Sequence, residues 1–302
     1  MTTGTLKGVA GVSEGNQQIG EYKLRSLLQT GQTSQVYEVM EPRSGRHFAM
    51  KLLLPEYADS KEHRRILFHE AAIGEKLRHE NVINIIKVSK SETTPHFVME
   101  FFPAGSLRNR LLSKDPRDKE FLKINAKKIF KQVATGLAYM NAKGVVHCDI
   151  KADNILSNSL GQTKIIDFAI SKTVQKGFFA KLFNRPGKPQ GTPSFISPEQ
   201  ITGRVLDGRS DIYSYGATLY ELVCGRPPFR GATMNELLKK HLQEKPQSPV
   251  HFNPDVTEEF GTFLLKLLAK RPEQRPANFH EVLIELKKLK VFKSVYEKDD
   301  DE

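Results

Sequence analysis

Cysteine is scarce: Cys148 and Cys224 are the only two in 302 residues. Two thiols so far apart build no disulfide framework and have no metal-ligand spacing. A reducing, cytoplasmic setting is therefore expected. Long apolar runs are missing as well. No uninterrupted stretch approaches the ~20 residues that a membrane helix needs. The opening MTTGTLKGVAGVSEG lacks the apolar core of a secretory signal. Acidic residues are outnumbered, 35 Asp and Glu against 46 Lys and Arg, which leaves a net charge of +11. Such a surplus suits nucleic acid, an anionic membrane or acidic substrates. Without a located patch it reads as a basic, solvated surface, and no nucleic-acid partner is expected. There is no internal repeat.

What is present is ordinary for a globular protein: 38% hydrophobic and 27% charged residues. With 18 Phe the chain can build a core, which excludes disorder throughout. Length suggests about two folding units. Residues 1–20, rich in Gly, Thr, Ser and Gln, read as a flexible leader. Residues 21–102 are strand-like. Short apolar segments at 35–40, 46–53, 82–88 and 96–102 are bounded by turn residues, with one helical pattern at 60–78. Residues 103–292 are helical in pattern. Ala126, Ile129, Phe130, Val133, Leu137 and Met140 fall on one helical face, and 211–223 and 279–289 show the same periodicity. Residues 293–302 form an acidic, solvating tail. The expected fold is α+β, with a strand-rich N-terminal lobe, a helical C-terminal lobe and a ligand site at their junction.

The segment densest in chemistry is His147-Cys148-Asp149-Ile150-Lys151-Ala152-Asp153-Asn154. It places a carboxylate, a cation and an amide within six residues, in a loop between a helix and an apolar strand. Thirteen residues after Asn154 comes Asp167-Phe168-Ala169, behind the apolar Lys164-Ile165-Ile166. Asp and Asn supply hard oxygen ligands, which suit Mg²⁺.

The order of these motifs resembles the eukaryotic-type serine/threonine protein kinases, in a style similar to bacterial members, over roughly residues 22–289. The resemblance implies a two-lobed kinase fold, ATP and Mg²⁺ (or Mn²⁺) as cofactors, and Ser/Thr hydroxyls of proteins, its own included, as acceptors. It implies that Asp149 receives or orients the acceptor hydroxyl, that Lys151 neutralises the transferring phosphate, and that Asn154 and Asp167 hold the metal. Lys51, in Ala49-Met50-Lys51, matches the nucleotide lysine. Glu70, nine residues before His79-Glu80-Asn81, matches its helix partner. Val98-Met99-Glu100-Phe101-Phe102 resembles the hinge, with Met99 as gatekeeper and the backbone of Glu100 and Phe102 facing adenine. Val36, Ala49 and Leu156 sandwich the ring. Gly191-Thr192 and Ser197-Pro198-Glu199 resemble the end of an activation segment, in which Thr192 contacts Asp149. Asp211 and Arg275, the latter pairing with Glu199, are structural. His147 and Phe168 read as core residues without chemistry.

Several positions depart from the family pattern. Of the three glycines in the phosphate loop only Gly31 stands; Gln29 and Ser34 occupy the others. Ala169 replaces the glycine after Asp-Phe. Cys148, read as a packed thiol, replaces an arginine that pairs with phosphate on the activation segment in many relatives. Gly74 stands at an apolar position of the helix that carries Glu70. These departures motivate a second reading, a pseudokinase that binds ATP as a scaffold. The complete set Lys51, Glu70, Asp149, Lys151, Asn154 and Asp167 argues for turnover. A small-molecule phosphotransferase is a third reading, disfavoured by Thr192 and Glu199.

Between Asp167 and Glu199 the segment carries Lys172, Lys176, Lys181, Arg185 and Lys188 and no acid. Within it Phe178, Phe179, Leu182 and Phe183 line one face of a short expected helix between Gly177 and Pro186-Gly187. That face is expected to dock on the protein's own surface, with an anionic membrane or a partner protein as the alternatives. Ser171 and Thr173 are the expected autophosphorylation sites. No oligomeric state is assigned.

Overall fold

A computed structural model describes residues 18–173 and 190–295 of the chain. The chain divides into two compact units. One comprises Met1–Arg78 and Ile83–Pro103, the other His79–Val82 and Ala104–Glu302.

In the first unit the apolar runs pair as an antiparallel sheet. Its strands are β1 (Gln18–Ile19), β2 (Tyr22–Thr30), β3 (Ser34–Met40), β4 (His47–Leu53), β5 (Ile85–Ser89) and β6 (His96–Glu100). Their order is β1-β2-β3-β4-β6-β5. The last residues of the expected leader therefore belong to the sheet. Met50 and Leu52 of β4 join Tyr22, Val39, Phe48 and Val98 in a core cluster. Successive side chains of a strand point to opposite faces, so Lys51 is turned away from the face of Met50 and Leu52.

The one helix of this unit, α1 (Lys61–Gly74), starts at Ser60, whose hydroxyl accepts the backbone N–H of His63. Leu67, Glu70, Ala71, Ile73 and Gly74 are its buried residues, an i, i+3, i+4, i+7 stripe. A glutamate within an apolar stripe needs a cation. The helix ends four residues earlier than the pattern at 60–78 suggests. Gly74 weakens helix propagation, and the next residues turn through Lys76 N–H to Ile73 O and Leu77 N–H to Gly74 O bonds.

The second unit is built on helices. They are α2 (Leu107–Leu112), α3 (Pro116–Ile124), α4 (Ala126–Ala142), α5 (Pro198–Ile201), α6 (Gly208–Cys224), α7 (Met234–Gln243), α8 (Pro249–Phe252), α9 (Glu258–Leu267) and α10 (Phe279–Lys287). The apolar face expected on α4 is buried in full. Phe130 of α4 stacks on Phe260 of α9 at 5.9 Å, and Tyr215 of α6 donates to the Phe130 carbonyl. Helix α6 is buried on all sides, with Ser210 to Glu221 below the surface throughout. Asp207 caps its start. Gly225 ends it in the left-handed region at φ 68°.

Short strands frame the loop rich in chemistry. β7 (Gly105–Ser106), β9 (Ile155–Ser157) and β10 (Thr163–Ile165) form one ribbon, and β8 (Val145–Val146) pairs with β11 (Lys172–Thr173). At the other end, Ser294 Oγ donates to Asp255 Oδ2 at 2.6 Å, so the chain is docked this far into the expected tail. The expected helix of Phe178, Phe179, Leu182 and Phe183 lies outside the described residues, as do residues 1–17 and 296–302.

Candidate active site

In the first unit, register fixes the residues expected around the nucleotide. Val36 on β3 stands opposite Lys51 on β4, and Ala49 on β4 stands opposite Met99 on β6. Lys51 Nζ lies 2.7 Å from Glu70 Oε2. Glu70 is only 4% exposed, so this is the ion pair that its place on the apolar stripe requires. The turn from β2 to β3 closes with Gly31 N–H donating to the Ser34 carbonyl at 2.8 Å. A Cβ at Gly31 would meet that same carbonyl oxygen at 3.2 Å, so the surviving glycine serves the tightness of the turn. The Glu100 N–H donates to Asn84 O at 2.9 Å, and its carboxylate accepts from Asn84 N–H at 2.8 Å. That N–H is therefore engaged within the sheet rather than open to adenine. Phe102 is half-buried, two residues past the end of β6.

In the second unit the loop of residues 147–154 leaves β8 and enters β9. Three side chains converge on Asp149. Lys151 Nζ donates to Oδ2 at 2.7 Å. Asn154 Nδ2 donates to Oδ2 at 3.2 Å and to the Asp149 carbonyl at 2.9 Å. Thr192 donates to Oδ1 from its N–H at 2.9 Å and from its hydroxyl at 2.8 Å. Lys151 Nζ also reaches Thr192 Oγ1 at 2.6 Å. Residues 43 apart in the chain thus form one polar triangle around a carboxylate.

Two backbone contacts tie the triangle to Asp167. Ile166 N–H donates to Asn154 O at 3.0 Å, and the His147 ring bridges the same strand end. Asp149 N–H donates to His147 Nδ1 at 3.2 Å, so Nδ1 is the acceptor and Nε2 carries the hydrogen toward Ile166 O at 3.1 Å. His147 is wholly buried and packs edge-on against Phe168. This agrees with the reading of both as core residues. Asp167 stands at φ 69°, uncommon for a residue with a Cβ, and its carboxylate accepts the Ala169 N–H at 3.2 Å.

The donor set of Asn154 and Asp167 fits a small, hard cation. The Asn154 amide nitrogen is spent on Asp149, so its oxygen is the group left to face an ion. Asp167 adds one carboxylate. Mg²⁺ is usually held by one or two such groups together with phosphate oxygens and water, not by an all-protein cage. Consistently, the described residues contain no group of three or more His, Cys, Asp and Glu side chains placed for a metal.

Residues behind the loop hold its shape. Asp211 accepts N–H groups from His147 at 2.9 Å and Cys148 at 2.9 Å, and the Asn141 amide at 3.0 Å. Burial pushes the Asp211 carboxyl pKa up against these donors. Cys148 is buried, and burial also raises its thiol pKa, which makes it a poor nucleophile. Arg275 and Glu199 form a buried bidentate pair at 2.7 and 3.1 Å.

Two contributors escaped the sequence reading. Gln200 donates to Cys148 O at 2.8 Å and to Gln190 O at 3.1 Å. Its capping-box spacing from Ser197 was visible, but not this second role. Gly191 stands at φ 123°, and a Cβ there would meet Cys148 O at 3.1 Å, so glycine is needed for the segment to approach the loop. Leu156, expected against the adenine ring, is half-buried on β9 between the buried Ile155 and Ser157.

Comparison with known proteins agrees with this geometry. The family model described as protein kinase domain matches residues 22–285. A probable serine/threonine-protein kinase of Clostridium acetobutylicum is 31% identical over 93% of this chain and 41% of its own length. One of Streptomyces coelicolor is 30% identical over 88% of this chain and 39% of the relative. The serine/threonine-protein kinase PrkC of Bacillus subtilis is 30% identical over 85% and 38%. The chain thus spans about two fifths of the length of these relatives. No helix among the described residues is long and apolar enough to cross a membrane.

Proposed function

The chain belongs to the protein kinase family, and we propose that it transfers the γ-phosphoryl group of ATP to serine and threonine hydroxyls of proteins, itself included. The observation that carries this reading is the triangle of Asp149, Lys151 and Thr192, closed by bonds of 2.6 to 2.9 Å.

Within it Asp149 orients the acceptor hydroxyl and takes its proton. Its carboxylate is acceptor-only when ionised, and the N–H and O–H donors around it hold one rotamer. Lys151 is positioned to move from Asp149 and Thr192 onto the transferring phosphate, where its charge offsets the developing negative charge. Lys51, held by Glu70, presents a cation to the nucleotide phosphates. Val36, Ala49, Met99 and Leu156 supply apolar contact to adenine, with the backbone of Glu100 and Phe102 supplying polar contact. Gly31 keeps the loop tight beside the phosphates. Asn154 and Asp167 hold Mg²⁺, or Mn²⁺ in its place. Such an ion, when bound, neutralises the phosphate oxygens and aligns them for in-line transfer.

The full set of charged residues favours turnover over a scaffold role. The free thiols of Cys148 and Cys224 support a reducing, cytoplasmic setting. Radiolabelled ATP with a generic protein substrate tests the reading, beside an Asp167→Asn control that should be inactive. Mass spectrometry of the product should find phosphoserine and phosphothreonine. Predominant phosphotyrosine would overturn the acceptor assignment.

A further inference from the structure

Beside the Asp149 loop, two carboxylates from separate elements converge on one guanidinium. Arg108 of α2 bonds Glu221 of α6 through both terminal nitrogens, at 2.8 Å each. Its Nε reaches Asp153 Oδ2 at 3.1 Å. The partners are 113 and 45 residues away in the chain. The exposures are graded: the Glu221 side chain is 7% exposed, Arg108 20% and Asp153 44%. The group is therefore an acidic recess open at the Asp153 end and closed at its base by Glu221, with Arg108 seated in it.

Its position matters for substrates. Asp153 belongs to the 152–154 turn whose last residue, Asn154, bonds both the carbonyl and the carboxylate of Asp149. A peptide that presents a hydroxyl to Asp149 has flanking residues within reach of this turn, since each extended residue spans about 3.3–3.6 Å. A long basic side chain would find two carboxylates there, arranged for the planar, bidentate pairing that guanidinium favours. In this protein that place is taken from inside.

We propose that Arg108 determines acceptor-sequence preference by occupying this recess, so that the enzyme does not select Arg or Lys beside the acceptor serine or threonine. The inference rests on the kinase reading above. It adds a substrate class: hydroxyls in segments without basic flanks. Arg108 touches neither Asp149 nor Lys151 in any recorded bond, so it acts on selection and not on the transfer step.

The test uses the full chain and a series of peptides with one serine in a neutral background, with arginine placed at each flanking position in turn. For the wild type, kcat/KM should be flat across the series, within about twofold. Arg108→Gln empties the recess and should raise kcat/KM for arginine at one or more positions roughly fivefold, as expected for a charge pair worth about 1 kcal/mol. Because Glu221 would then be buried without a cation, R108Q/E221Q serves as the well-folded companion. It frees Asp153 alone and should show a smaller gain. R108Q/D153N/E221Q should be flat again. Gain in the double but not the triple variant decides the matter even if R108Q does not fold.

An unchanged profile in folded R108Q or in the double variant would overturn the proposal. So would a rate lowered equally on every peptide, which marks a purely structural arginine, or a wild type that already prefers arginine. Fluorescence anisotropy with the same labelled peptides separates this inference from the kinase reading. If the wild type transfers no phosphate but arginine-peptide binding appears only when Arg108 is removed, the activity assignment fails and the recess stands.

Discussion

Asp211 accepts the backbone N–H of Cys148 at 2.9 Å, and Cys148 stands at φ 70°. Left-handed backbone costs a residue with a Cβ about 1–2 kcal/mol. The second Asp211 oxygen takes the His147 N–H. A carboxylate on the buried helix α6 thus pins a strained stretch directly before Asp149, and so sets where Asp149 points.

Asp211→Ala should leave those two N–H groups buried without acceptors, at roughly 1–3 kcal/mol each. The expected loss is at least about 3 kcal/mol in urea unfolding, with transfer activity falling in parallel. An unchanged unfolding midpoint would contradict the pinning role.

Asp149→Asn should lower phosphoryl transfer by about 10²–10⁴-fold, the range of a positioned general base. ATP affinity by isothermal titration should stay within about twofold, since the residue faces the hydroxyl. Lys51→Ala should also cut transfer, with the loss in nucleotide handling and with Glu70 left buried without its cation. Retained wild-type turnover in Asp149→Asn would refute the assigned mechanism.

Autophosphorylation in this region should fall on Thr173 and spare Ser171. Both hydroxyls were expected sites, but Ser171 is 1% exposed and donates to His147 O at 3.1 Å. Thr173, on β11, is exposed. Peptide mapping of the autophosphorylated chain distinguishes them, and phosphate on Ser171 would mean that β11 detaches from β8.

His241 should make folding acid-sensitive. It is fully buried, its Nδ1 lies 2.9 Å from the Tyr213 hydroxyl, and it packs edge-on against Phe229. Burial, reinforced by the charge of Lys270 and partly offset by the Ser194 carbonyl, pushes its pKa down from 6.5 to about 3. Between those values the unfolded chain binds the proton that the folded chain refuses. Stability should therefore fall as pH drops from 6.5 toward 3, by up to about 1.4 kcal/mol per pH unit from this group. Urea unfolding at several acidic pH values should give a shallower slope for His241→Gln. An identical slope would assign the acid sensitivity elsewhere.

Much of this protein could be read from the chain alone because its signals are local. The stripe Ala126 to Met140 declares a helix and its buried side. The apolar runs that became β3, β4 and β6 declare strands, and the spacing from Asp149 to Asn154 and Asp167 declares the chemistry. What the chain could not show is which distant groups meet. Periodicity says that Glu70 lies on a buried stripe, yet only packing supplies Lys51 at 2.7 Å. It cannot show that Ser171 is sealed under the loop, or that His79–Val82 join the second unit and not the first. Nor does any pattern mark Cys148 as left-handed, since nothing about a cysteine favours that conformation; two N–H bonds to a helix some sixty residues away impose it. The same holds for Arg108, one basic residue among 46. It became distinct only when folding brought Asp153 and Glu221 to the same guanidinium, because a charge pair has no sequence period and is selected by burial alone.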